Sequence, residues 1–180
     1  MIKRIEKKDF LKAKELIERN FPYTSAEKVK LRERAKNKNV FLFKAEENGE
    51  MEGMIDFELR GGSAIINGLV VKEGNRGRGI GTALLDFALK EIKKRKANEV
   101  RLIVQEDNTT AKKLYKKFGF EKRREFFGEK IKKEIEEMVL EIGKENYKEK
   151  RILEIGKENY KEKTVLGIEE KNGEITPKVS

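Results

Sequence analysis

The run Gly74-Asn75-Arg76-Gly77-Arg78-Gly79-Ile80-Gly81 holds the residue types best suited to chemistry in this chain. It stands between an apolar, strand-like segment and a long helical pattern, and that context decides its meaning. A helix N-terminus presents unpaired N–H groups and a partial positive charge. Glycines let backbone wrap an anion without interference from Cβ atoms. Arg76 and Arg78 add two full charges beside it. The physical reading is a cradle for a pyrophosphate; the plainer reading is a tight strand-to-helix connection. Two other glycine loops fail on spacing. A dinucleotide fingerprint counted from Gly77 and Gly79 needs glycine where Thr82 stands, and no Gly-Lys-Ser/Thr closes the run as a P-loop would require.

The rest of the composition removes whole classes of mechanism. Cysteine and histidine are both absent, so thiol nucleophiles, disulfides, Ser-His-Asp triads and nearly every zinc site are excluded, and no metal is expected. Proton transfer falls to Asp, Glu, Lys, Tyr or the substrate. The 180 residues carry 43 Lys/Arg against 33 Asp/Glu, a net charge of +10. Such a balance suits an anionic partner: nucleic acid, a membrane surface or a phosphorylated cofactor. No apolar run is long enough to span a membrane and the first residues lack a signal-like apolar stretch, so the expected location is cytoplasmic.

The elements that must position the glycine run follow from periodicity. Phe10, Ala13, Leu16, Ile17 and Phe21 keep helical spacing until Pro22, and Thr24 with Glu27 forms a capping box for a second helix through Val29, Leu31 and Ala35. Val40 to Ala45, Met51 to Leu59 and Ala64 to Val71 then read as three antiparallel strands, turned at Asn48-Gly49 and Gly61-Gly62. After the glycine run, Ile80, Ala83, Leu84, Phe87, Ala88 and Ile92 mark a long helix ending in Lys93-Lys94-Arg95-Lys96, where the dipole favours cations. Val100 to Val104 is a strand. Ala111, Leu114, Tyr115 and Phe118 share a face of a shorter helix closed by Gly119, and Phe120 opens another strand. Strand, crossover helix and strand in succession require parallel pairing. The fold class is therefore α+β, a mixed central sheet, antiparallel and partly parallel, flanked by helices.

Glu141–Leu153 (EIGKENYKEKRIL) recurs as Glu154–Leu166 (EIGKENYKEKTVL). Two copies fall short of a solenoid, so a tandem duplication in a tolerant segment is the reading. Thirteen is odd, so an unbroken strand would put the copies on opposite faces, and turns are expected near Gly143 and Gly156. Residues 1–142 are thus one domain and 143–180 a β-rich extension, able to support a homodimer through added strands.

At these residues the chain resembles the GNAT superfamily of acetyl-CoA-dependent N-acetyltransferases. Its binding signature, Arg/Gln-x-x-Gly-x-Gly/Ala, is matched by Arg76 to Gly81, and a second block, Leu102-x-Val104 with Asn108-x-x-Ala111-x-x-Leu114-Tyr115-x-x-Phe118-Gly119-Phe120, resembles the later strand, helix and strand. The resemblance covers roughly residues 1–142. It implies acetyl-CoA as co-substrate and an amine acceptor as partner. It implies that backbone at Leu69 and Val71 takes the acetyl carbonyl and the pantetheine arm. The amides of Arg76, Gly77, Arg78, Gly79, Ile80, Gly81 and Thr82 would hold the pyrophosphate, and Asn108 would touch the pantetheine. Tyr115 would stand near the sulfur as the acid, with packing as its alternative role; a phenol can donate to a departing thiolate. Without cysteine, transfer would go by direct attack in a ternary complex.

Where some family members carry a glutamate base, this chain has Ile65 and Ile103, which take no proton. Asp56, Glu58, Glu106 and ordered water remain and the base is unassigned, with Asp56 and Glu58 on one strand face and expected to look at solvent. The resemblance also implies that the first two helices and the strands near Phe126-Phe127 wall the acceptor groove. The competing reading is a non-catalytic module of this fold binding nucleic acid through a basic surface.

Overall fold

The computed structural model describes residues 1–21, 30–129 and 131–143, and the strand backbone of 168–171 and 174–177. A seven-stranded sheet runs in the order β1-β2-β3-β4-β5-β7-β6. Its strands are β1 (Ile2–Arg4), β2 (Val40–Glu47), β3 (Glu50–Arg60), β4 (Ser63–Val71), β5 (Glu99–Gln105), β6 (Glu121–Gly128) and β7 (Lys133–Glu141). The helices are α1 (Phe10–Asn20), α2 (Leu31–Arg34), α3 (Ile80–Lys94) and α4 (Thr109–Lys117). A separate antiparallel pair, β8 (Ile168–Lys171) with β9 (Glu174–Pro177), makes the extension β-containing.

Asn48 and Gly49, both at positive φ (50° and 79°), make the two-residue turn that joins β2 to β3; this turn geometry matches the strands' own twist. Gly61 and Gly62 do the same for β3 and β4. Alternation then sorts side chains onto two faces. Ile55 and Phe57 join Leu84, Leu85, Ala88 and Ile92 of α3, all without exposed surface, together with Val100 and Met138. On the other face Met54, Val70, Val40 and Leu42 pack against Ala13 and Ile17 of α1 and Leu31 of α2.

The strand β1 has no counterpart in the sequence reading, because three residues carry no measurable period. It is held by pairing of Ile2 with Ala45 and by Lys3 on Glu46 (2.7 Å). Lys44, inside the otherwise apolar run of β2, is buried and donates to Asp9 (2.9 Å) and to Glu46. Pro22, Thr24, Glu27 and Val29, with their capping box, lie outside the described residues, as does nearly all of the tandem repeat; Gly143, where a turn was expected, has φ +103°.

One irregularity shapes the molecule. β4 pairs in parallel with β5 only from Ser63–Glu99 to Ile66–Leu102. The next residue, Asn67, is a bulge: Phe57 stands opposite Ile66 and Asp56 opposite Gly68. Beyond it the two strands separate and the sheet opens as a fork. β7 returns antiparallel between β5 and β6, so the second crossover gives strands of like direction that are not neighbours. No helix among the described residues is long and apolar enough to cross a membrane.

Candidate active site

β4 ends at Val71, a short 3-10 turn covers Glu73–Asn75, and α3 begins at Ile80. Gly77 (φ +80°) and Gly79 (φ +78°) supply the left-handed conformations that bend the connection, which is why glycine stands at both. The amides of Gly77, Arg78, Gly79, Ile80, Gly81 and Thr82 find no acceptor among the described residues, and α3 has no side-chain cap. Six consecutive donors at the positive end of a 15-residue helix make a candidate anion receptor.

The two arginines do not point into it. Arg78 donates to Asn75 Oδ1 (2.8 Å) and pairs with Glu47 (3.0 Å), while Asn75 donates to the buried carboxylate of Glu52. Arg76 donates to Asn20 Oδ1 (2.6 Å) at the end of α1, and more weakly to the Val71 carbonyl (3.4 Å). These contacts brace the loop against β2, β3 and α1. In this state the receptor is built from backbone, with the guanidinium groups as its supports.

The open side of β4 lies beside the receptor. The Lys72 amide donates to the Glu52 carbonyl of β3 (2.8 Å). Backbone groups alternate sides along a strand, so Val70 also faces β3, and Leu69 and Val71 turn their N–H and C=O groups toward the gap left by β5. A Cβ placed on Gly81 would lie 3.6 Å from both Val71 and Leu114, so the first turn of α3 sits between the end of β4 and α4. Tyr115, next along α4, is 7% exposed and stacks obliquely on Phe120 (5.8 Å between ring centres). Its hydroxyl has no hydrogen-bond partner among the described residues, and burial pushes its pKa up to about 12. Asn108 caps α4, accepting from the Ala111 amide (3.1 Å). The end of β4, the first turn of α3 and Leu114 of α4 thus meet at one place, with Tyr115 on the same helix as Leu114 and Asn108 at that helix's start.

On the opposite face of the fork is a cavity of about 120 Å³, whose walls include Ile17, Met54, Val70, Ile103 and Ile135. Asp56 lines it, and here the structure corrects the expectation of a solvent-facing carboxylate: Asp56 is 4% exposed. Both Nη atoms of Arg34 donate to it, Nη2 at 2.8 Å, and Asn67 Nδ2 lies at 3.4 Å. Burial pushes the carboxyl pKa up, against the opposing pull of the guanidinium. Glu58 is half-buried and pairs with Arg60 (2.9 Å), while Glu106 is exposed and 3.6 Å from Lys112. The signal for Asp56 was an acid inside the apolar run Met54-Ile55-Asp56-Phe57; its partner Arg34 stands 22 positions away on another element. No group of three or more Asp or Glu among the described residues could hold a metal ion.

A family model described as an acetyltransferase (GNAT) domain matches residues 6–136. Solved structures of similar fold include the ribosomal-protein-S18-alanine N-acetyltransferase of Escherichia coli (22% identity, TM-score 0.69, covering 81% of this chain and 97% of that one). The ribosomal-protein-alanine N-acetyltransferase of Brucella melitensis is also similar (18%, TM-score 0.69, 79% and 99%). So is an aminoglycoside 6'-N-acetyltransferase complexed with coenzyme A (17%, TM-score 0.68, 81% and 99%). No curated protein sequence matches. At these identities the structural likeness is one of fold, and the family rests on the model that spans most of the chain. With its order of strands, its fork and its glycine-led helix, the chain belongs to the GNAT acetyltransferase family.

Proposed function

We propose that the protein is an N-acetyltransferase that moves the acetyl group of acetyl-CoA to a primary amine by direct attack in a ternary complex. The observation that supports this reading is the row of six amides at residues 77–82 without an acceptor among the described residues, set beside the part of β4 that no longer pairs with β5. In this reading those amides hold the pyrophosphate. Leu69 and Val71 offer N–H groups to the acetyl carbonyl, where they stabilise the charge that develops on its oxygen. Asn108, whose Oδ1 caps α4, keeps its amide nitrogen for the pantetheine arm. The Tyr115 hydroxyl faces the sulfur. A phenol at about 12 is a weaker acid than a thiol at about 8.5. Tyr115 therefore serves best as a relay, giving its proton to sulfur while taking one from the attacking nitrogen.

The test is an acetyl-CoA turnover screen against amines and peptides, read as free thiol, with calorimetry of CoA alone. Gly79→Ala carries the strain of a Cβ at φ +78°; Gly79→Glu adds a carboxylate in the receptor. The expected result is that CoA affinity falls far more in the glutamate variant than in the alanine one. Equal affinities in all three proteins would place the pyrophosphate elsewhere. Salt-sensitive retention on nucleic acid, with no thermal shift from acetyl-CoA, would turn the reading toward a binding module.

A further inference from the structure

The receptor and the gap account for one face of the fork. The cavity with Asp56, Arg34 and Asn67 occupies the other. We propose that this cavity takes the acceptor amine, that Asp56 receives its ammonium in place of Arg34, and that the acceptor carries a single α-ammonium rather than several charged amines. The proposal rests on the acetyltransferase reading and deepens it.

Position supports it first. Asp56 stands opposite Gly68, next to the bulge where β4 leaves β5. Leu69 is the following residue of β4, so a nucleophile held by Asp56 sits across the fork from backbone that would hold an acetyl carbonyl. Charge supports it next. Asp56 is the one carboxylate lining the cavity among the described residues, and Arg34 is the one full cation. Arg34 keeps 18% of its side chain exposed, so it can swing toward water when another cation takes its place. A polyamine or a multiply charged aminosugar would leave a second ammonium against Arg34 or the apolar walls, where an unpaired charge is costly.

The cavity opens to solvent, so it can receive the ammonium while the rest of the acceptor extends outside it. Acid strength separates two sources of amine: an α-ammonium near pKa 8 yields its proton to a carboxylate more readily than a lysine side chain near 10.4. In the step itself Asp56 takes one proton from the ammonium, and the freed lone pair bonds to the thioester carbonyl carbon. The carbon–sulfur bond breaks and sulfur keeps the pair. Sulfur then gains the second nitrogen proton through Tyr115, and Asp56 releases its proton to water as the amide leaves.

The experiment measures binding of an alanine-initiated tripeptide amide, its N-acetylated form, alaninamide and spermidine to the full chain loaded with CoA. Acetyl transfer is followed in parallel for wild type, Asp56→Asn and Arg34→Lys. Wild type should bind both free α-amines and neither the acetylated peptide nor spermidine. Asp56→Asn should lose at least 30-fold in amine affinity and 100-fold in kcat/KM, with acetyl-CoA affinity within twofold. Arg34→Lys keeps the charge but holds Asp56 by one contact, and should lower the amine KM severalfold; a purely structural pair would instead raise it. Equal affinity for alaninamide and peptide assigns recognition to the first residue alone, and preference for the peptide extends the site along the chain; both support the proposal. Wild-type amine affinity in Asp56→Asn, a raised KM in Arg34→Lys, or preference for spermidine overturns it. Normal CoA affinity with no affinity for either α-amine overturns this proposal alone, whereas failure to bind acetyl-CoA overturns the acetyltransferase reading with it.

Discussion

Tyr115 combines three properties in one side chain: deep burial, no partner for its hydroxyl among the described residues, and a pKa raised to about 12. Removing the oxygen therefore breaks no hydrogen bond among those residues. Tyr115→Phe should leave the melting temperature almost unchanged while lowering kcat roughly 100-fold, the usual scale for one positioned proton donor. The KM for acetyl-CoA should move much less, because the proposed pyrophosphate contacts lie on another element. Unchanged kcat would make Tyr115 a packing residue. The same pKa means that the hydroxyl stays protonated through neutral pH, so the acid limb of a rate profile belongs to another group. At this scale the sequence was partly readable. Gly77 and Gly79 stand where backbone needs positive φ, and Asn108 caps its helix, because each of these depends on neighbours a few residues away. Asp56 was misplaced, and the partners of Arg76 and Arg78 were not legible, because each side chain is fixed by a residue on a distant element: Arg34, Asn20 and Glu47.

Elements show the same division between local and distant causes. The turns at Asn48-Gly49 and Gly61-Gly62 and the periods of α1, α3 and α4 lie within short windows, and those elements formed as read. The fork does not, since one inserted residue, Asn67, shifts a register that pairing between strands decides. Packing of α3 depends on a close approach of the same kind. A Cβ on Gly53 would lie 2.8 Å from the Val70 carbonyl and 3.2–3.3 Å from Leu84 and Ile80. Gly53→Ala should therefore push out the first turn of α3, cost about 1–3 kcal/mol by overpacking, and weaken CoA binding together with stability. A thermal melt and a CoA titration on one sample check the coupling; loss of stability with intact CoA affinity would separate packing from the receptor. The edge strand β1 offers a pH test. Lys3 first, then Lys44, hold the Glu46 carboxyl at about 2, below the 4.5 of an ordinary glutamate. Between those values the unfolded chain binds more protons, so this contribution is complete above pH 4.5 and disappears as pH falls toward 2. Denaturant midpoints for wild type should drop across that window, and Glu46→Gln should flatten the slope.

For the whole molecule, the question is which part of the chain the fold and the receptor need. Both apolar clusters and all seven strands of the main sheet lie within residues 2–142, and the family model ends at residue 136. The pair β8–β9 forms its own sheet. Charge points the same way. Beyond residue 143 the sequence holds nine Lys/Arg against eight Asp/Glu, so nearly all of the net +10 belongs to the preceding residues. A chain ending at Gly143 should keep its melting temperature within about 4 °C, the shift expected from no more than 1 kcal/mol in a domain of this size. Its acetyl-CoA affinity should stay within twofold, with the same fall as salt rises, because in the proposed function the phosphates meet the same amides in the same field. Mass in solution decides what the extension adds. If the full chain is dimeric and the shortened one monomeric, the repeat supplies an interface by strand addition. If both have the same oligomeric state, the duplication plays no part in assembly. A large loss of stability on truncation would mean that the core extends into the repeat, and the boundary at 142–143 would have to move.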